Sequence, residues 1–187
     1  MIRAVWALLF LVASALPPNA KATVIDSARS QASFTIHPRL PIPSQGRFES
    51  VSGSLNPATK DMWKVEVRVD ARKLSFKGPQ WLARMARSEA FLDADKHPDI
   101  KFVSAPFSKT LLEKGGVLQG QLFLRGQQRS VGFHIEKSAC PNAGVDCDLV
   151  VHGNVLRRDF GMKAYRISIK DNVDFEFRIR LLAEPSS

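Results

Sequence analysis

The side chains in this sequence that could do chemistry are few and poorly grouped. Cys140 and Cys147 flank the stretch Pro141-Asn142-Ala143-Gly144-Val145-Asp146. Two thiols this close, with no further ligand at metal spacing, predict a disulfide that staples one loop, as exported proteins use. The histidines His37, His97, His134 and His152 are scattered and form no H-x-x-x-H pair, so no metal site is predicted. A nucleophilic hydrolase would need a G-x-S-x-G elbow or a free thiol beside a base, and neither pattern is present. Phosphate loops of the G-x-x-x-x-G-K-S/T and G-x-G-x-x-G types are also missing. Glu89, Asp93, Asp95 or Asp159 could be assembled into a glycosidase pair, but any chain of this length offers such carboxylates. The sequence therefore predicts no catalytic residue, no metal and no cofactor.

The elements that would position any site are strands. In Trp63-Lys64-Val65-Glu66-Val67-Arg68-Val69-Asp70, the three valines share one face and the charged residues share the other. Val173, Phe175, Phe177, Ile179 and Leu181 repeat the design, with Asp174, Glu176, Arg178 and Arg180 opposite. Weaker alternation marks 32–36, 47–55, 100–107, 117–124, 130–136 and 147–155. Turn residues separate these runs: Asn56-Pro57, Gly115-Gly116, Arg125-Gly126 and Asn142-Ala143-Gly144. Eight short antiparallel strands with one apolar face each suit a sandwich or a barrel. Only closure removes the edges, so an all-β, eight-stranded antiparallel β-barrel is expected. One segment breaks the period. Gly78–Leu92 begins near a Pro and is rich in helix formers, with Trp81, Leu82, Met85 and Ala86 at helical spacing. It predicts a short helix lying across the barrel.

The inward faces are strongly apolar. Phe34, Ile36, Phe48, Val67, Phe91 and Phe102, with further Val, Leu, Ile and Phe residues from Val65 to Phe177, would line the interior. An eight-stranded barrel is the size at which side chains either fill the interior or leave room for one small ligand. Composition leaves both outcomes open.

The N-terminus reads as an export signal: Arg3 precedes the apolar run Ala4–Leu16, and Ala20-Lys21-Ala22 supplies an A-x-A cleavage site. The run is too short to span a bilayer as a helix, so residues 1–22 are expected to leave and 23–187 to form one domain in the periplasm. Net charge is +9, and loss of Arg3 and Lys21 lowers it by two. The bases form no block and lack the aromatic or Gly motifs of nucleic-acid binders, so nucleic acid is not an expected partner. Positive charge favours transient contact with an anionic membrane surface, and the reading leaves a homodimer open.

Several stretches resemble a known family. Ser33-Phe34-Thr35-Ile36-His37 is similar to F-x-V-x-H, and Gly46–Leu55 to G-x-F-x-x-F-x-G-x-L. Arg87-Ser88-Glu89-Ala90-Phe91-Leu92-Asp93, followed by Pro98-Asp99-Ile100-Lys101-Phe102, resembles R-S-x-x-F-F/L-D…P-x-I-x-F. Gly120–Gly126 and Arg157–Met162 are similar to G-x-L-T-L-x-G and R-x-D-F-G-M. Together they resemble the YceI-like family of secreted, lipocalin-like, polyisoprenoid-binding barrels from about Asp26 to Leu182. Departures include Met85-Ala86 where the family has His-Leu, and the Pro-rich run after His37. The resemblance implies a non-enzymatic periplasmic carrier holding a polyisoprenoid, isoprenoid quinone or fatty acid derivative inside the barrel. It implies His37, Arg87 and Asp159 near the mouth, with Arg47 and Arg157 suited by charge to a phosphate. The rival readings are an envelope structural or interaction module with a filled core, and an isoprenoid-dependent enzyme.

Overall fold

The computed structural model describes residues 21–41 and 45–183, so the expected leader lies, but for its last two residues, outside the described residues. Twelve strands form one sheet: β1 Thr23–Val24, β2 Gln31–Pro38, β3 Gln45–Phe48, β4 Val51–Thr59, β5 Met62–Asp70, β6 Leu74–Phe76, β7 Asp99–Ser104, β8 Phe107–Ser108, β9 Gly116–Leu124, β10 Gln127–Ile135, β11 Leu149–Leu156 and β12 Ile169–Ile179. Helices α1 (Gln80–Arg87) and α2 (Thr110–Lys114) and a 3-10 turn at Arg157–Phe160 complete it.

All pairings between these strands are antiparallel, and they return to their start. β2 pairs with β3, which bends through Glu49-Ser50 into β4. From β4 the order runs through β5, β7, β9, β10 and β11 to β12, which pairs with β2 again. After the turn at Ala71–Lys73, β6 continues β5 and pairs with β3. Ile25, just past β1, bridges Leu181 beyond β12. The sheet thus curls into a barrel.

The strand count exceeds the expected eight for a local reason. The segment 47–55 is divided by a bend into β3 and β4, and 100–107 into β7 and β8. The additional β1 and β6 have two and three residues, too short for alternation to register. Elsewhere period-two burial is plain: Ala32, Phe34 and Ile36 are buried along β2, and Leu118, Leu122 and Leu124 along β9. Large rings lie across glycines of neighbouring strands. A Cβ on Gly46 would sit 2.4 Å from the Phe34 ring, and one on Gly153 1.8 Å from that of Phe133. Glycine there lets an aromatic ring lie flat over the backbone.

Helix α1 is shorter than the expected 78–92 because Ser88 turns extended and its N–H caps the carbonyls of Arg84 and Met85. Leu82 and Ala86, one turn apart, are buried, while Trp81, expected to pack beside them, is exposed. The Cys140–Cys147 disulfide is present, with Cα atoms 6.0 Å apart, and ties the loop between β10 and β11. Closing so short a loop removes little denatured-state freedom. Reduction is expected to lower stability by about 2 kcal/mol, read as the shift in urea midpoint with and without reductant. No shift would mean that the loop contributes nothing to the native barrel.

Candidate functional site

The barrel interior is not filled. One cavity, with about 90 Å³ open to the centre of a water molecule, lies among inward residues of most strands, including Val65, Val67, Val69, Phe102, Leu122, Phe133 and Phe177. A second, of about 50 Å³, lies toward α1 and is bounded by Phe34, Ile36, Phe76, Met85, Phe91, Leu124 and Met162. Phe48, Ile100 and Phe175 border both, so the two chambers adjoin at these three side chains. Every lining residue is apolar. Protein cores pack to the density of organic crystals with few voids above water size, and an apolar void holds no water. The space therefore suits hydrocarbon and nothing that must hydrogen-bond.

Different elements cover the two ends. At the larger chamber, α2 sends in Leu112, while Leu149 and Leu181 pack against Gly144 of the disulfide loop. At the smaller chamber, α1 supplies Met85 and Ala86, and the following turn supplies Phe91. The Phe91 ring stacks on Tyr165 at 5.5 Å and 14°.

The residues expected from sequence fall into two groups. Phe34, Ile36 and Phe91 line the smaller chamber, Val67 and Phe102 the larger, and Phe48 both. The polar residues do not join them. His37 alternates with Ile36 along β2, so its ring lies on the other face, 2.6 Å from the Asp174 carboxylate. Burial tends to raise the Asp174 carboxyl, but hydrogen bonds from Asn154 and His37 outweigh it and hold the group below the ordinary aspartate range. Arg47 is exposed on β3, between the inward Gly46 and Phe48. Arg87 is turned to the backbone, its guanidinium 3.5 and 3.4 Å from the carbonyls of Arg72 and Leu74, and so ties α1 to β6. Asp159 is half-exposed, 3.9 Å from Arg158.

Arg157 is 2 % exposed and donates to the carbonyls of Met162, Ala164, Ile169 and Lys170. Burial pushes its pKa below the usual arginine value, with Asp171 acting against that. A guanidinium committed to four backbone oxygens has no face left for a phosphate, which corrects the role expected from its charge. Sequence reasoning missed Ile25, Leu112 and Met162 as lining residues. They sit in short elements or just beyond strand ends, where no periodicity marks them.

Among the described residues, no group of three His, Cys, Asp or Glu side chains is placed to hold a metal, and no helix is long and apolar enough to cross a membrane. The architecture is shared with solved proteins. The crystal structure of BcnA from Burkholderia cenocepacia is similar at a TM-score of 0.66 and 18 % identity, covering 85 % of this chain and 99 % of BcnA. A polyisoprenoid-binding domain from Saccharophagus degradans, implicated in plant cell wall breakdown, matches at 0.66 and 12 % identity, covering 87 % of this chain and 98 % of that domain. The Campylobacter jejuni YceI protein matches at 0.57 and 15 % identity, covering 78 % of this chain and 88 % of that one. A search of curated proteins found no match. The family model for the YceI-like domain matches residues 24–181, nearly the whole barrel, and the chain belongs to that family.

Proposed function

We propose that this protein is a periplasmic carrier that binds one long apolar amphiphile, a polyisoprenoid, isoprenoid quinone or fatty acid derivative, with its tail in the two chambers. The observation that carries this reading is unfilled space bounded wholly by hydrocarbon inside a curled sheet. The polyisoprenoid-binding domain of Saccharophagus degradans, with the same fold, supports the ligand class. The disulfide and the signal-like N-terminus support export to an oxidising compartment. The chambers speak against a filled-core interaction module. A catalytic group would have to reach the bound molecule, and the lining offers no polar side chain, which favours carriage over turnover.

Binding should follow tail length more than head group. At about 0.8 kcal/mol per buried CH₂, removing one five-carbon isoprene unit costs up to about 4 kcal/mol, less where the tail reaches solvent. Organic-solvent extraction of the purified protein followed by mass spectrometry should release such a lipid. Titration with a series of fluorescent prenyl and acyl chains should show affinity rising with length. No extractable lipid and no uptake at any length would overturn the proposal.

A further inference from the structure

At the end of the barrel that α1 covers, the loop between the 3-10 turn and β12 projects into solvent. Tyr165, Arg166, Ile167 and Ser168 are all exposed, and Ile167 reaches 89 %. The N–H of Arg39 donates to the carbonyl of Ser168 at 2.8 Å, which brings Leu40, 64 % exposed, alongside Ile167. Trp81, on α1 at this same end, is exposed as well. Single exposed apolar residues are ordinary, but a group of them on one projecting edge marks a contact surface.

The loop is also cationic. From Gly161 to Lys170 it carries Lys163, Arg166 and Lys170 and no acid, with Arg39 adjacent. The flanking acids are drawn elsewhere, since Asp171 and Asp159 lie 2.8 and 3.9 Å from Arg158.

This tip is built rather than loose. Arg157 holds its base from beneath through four carbonyls. Tyr165 adopts φ 56°, uncommon for a residue with a side chain, and its carbonyl accepts the N–H groups of Ser168 and Ile169. Its ring rests on Phe91, which lines the smaller chamber.

We propose that Leu40, Tyr165 and Ile167, ringed by Arg39, Lys163 and Arg166, form a docking tip for an anionic lipid bilayer, seated over the α1 end of the barrel. Apolar side chains that enter the headgroup region, flanked by bases that meet lipid phosphates, are what an anionic bilayer surface recognises. The tip orients the covered chamber toward the membrane. That the chamber receives a lipid rests on the carrier reading above, whereas vesicle binding does not.

The test is co-sedimentation of detergent-free protein with vesicles of phosphatidylcholine alone or mixed with phosphatidylglycerol. Uptake of a soluble fluorescent prenyl chain is measured separately. Wild type should bind the phosphatidylglycerol vesicles and lose binding as salt rises. Each base near an anionic surface is worth about fivefold, so Lys163→Glu/Arg166→Glu should weaken partition by at least about 25-fold. Ile167→Asp should weaken it by about tenfold or more. Lys60→Glu/Lys114→Glu, at the other end, should change it little. Retained chain uptake in the tip variants would show that they fold. Failure of wild type to bind phosphatidylglycerol vesicles, tip variants that bind like wild type, or an equal loss from the Lys60/Lys114 pair would overturn the proposal. Loss of chain uptake in wild type with vesicle binding intact would sink the carrier reading and leave the tip standing.

Discussion

Val67→Asp is expected to cost about 3–5 kcal/mol, a large share of the stability of a typical domain, and to abolish uptake of any apolar ligand. The Val67 side chain lines the larger chamber, where an aspartate would meet only Val, Leu, Ile and Phe. A carboxylate without a partner in such surroundings must be protonated, hydrated or expelled, and each route disrupts the strand. The neighbouring Arg68→Asp should cost less than about 1 kcal/mol. Arg68 is exposed on the opposite face, where it contacts Glu66 at 2.6 Å and sits across from Lys101 in the register of β5 and β7. An aspartate there would repel Glu66 but gain Lys101. Urea unfolding of both variants decides the matter, and comparable losses would show that β5 does not present Val67 inward.

The second large effect is expected at Arg157. Arg157→Ala should destabilise by about 3 kcal/mol or more, because it leaves the carbonyls of Met162, Ala164, Ile169 and Lys170 without their donor and opens a hole beneath the loop. Arg157→Lys should recover only part of that loss. An ammonium donates from one point, whereas the guanidinium fork reaches oxygens on both sides of the loop. Amide hydrogen exchange should separate this local role from a general loss of stability. Protection at Ser168 and Ile169, whose N–H groups bond to Tyr165, should fall before that of β9 and β10. Unchanged exchange in the loop together with an unchanged urea midpoint would show that these bonds are not what holds it.

The barrel was legible where strands are long and one-sided. Trp63–Asp70 and Val173–Leu181 alternate so regularly that their inward faces follow from counting by two, and Val65, Val67, Val69, Phe175 and Phe177 border the chambers as that count requires. The same rule, applied consistently, places His37 beside Ile36 and Arg47 beside Phe48 on the outer face. Resemblance had placed His37 near the mouth and charge had suited Arg47 to a phosphate, whereas alternation tells which way each points. What stayed illegible depends on loop backbone. Nothing in the run Arg157–Lys170 announces that several carbonyls lack strand partners and converge on one guanidinium, so a basic residue reads as a surface charge. Likewise, the choice between a filled and a hollow interior is a matter of how rings such as Phe34 and Phe133 lie over glycines, which composition does not record.

The pairing of β2 with β12 has a consequence for the order in which the molecule can form. Phe34 stands opposite Phe175, and Ile25 bridges Leu181, so the first and last parts of the barrel meet at one seam. Local hairpins such as β9–β10 can assemble as soon as their residues are available, but the seam must wait for the final strand and for a very long loop to close. Such topologies fold on the order of milliseconds to seconds, much slower than hairpins form. Until the C-terminal strand arrives, the apolar interior is an open trough rather than a container, with unpaired edges on both sides. A chain that emerges N-terminus first would therefore enclose its interior only once β12 has emerged.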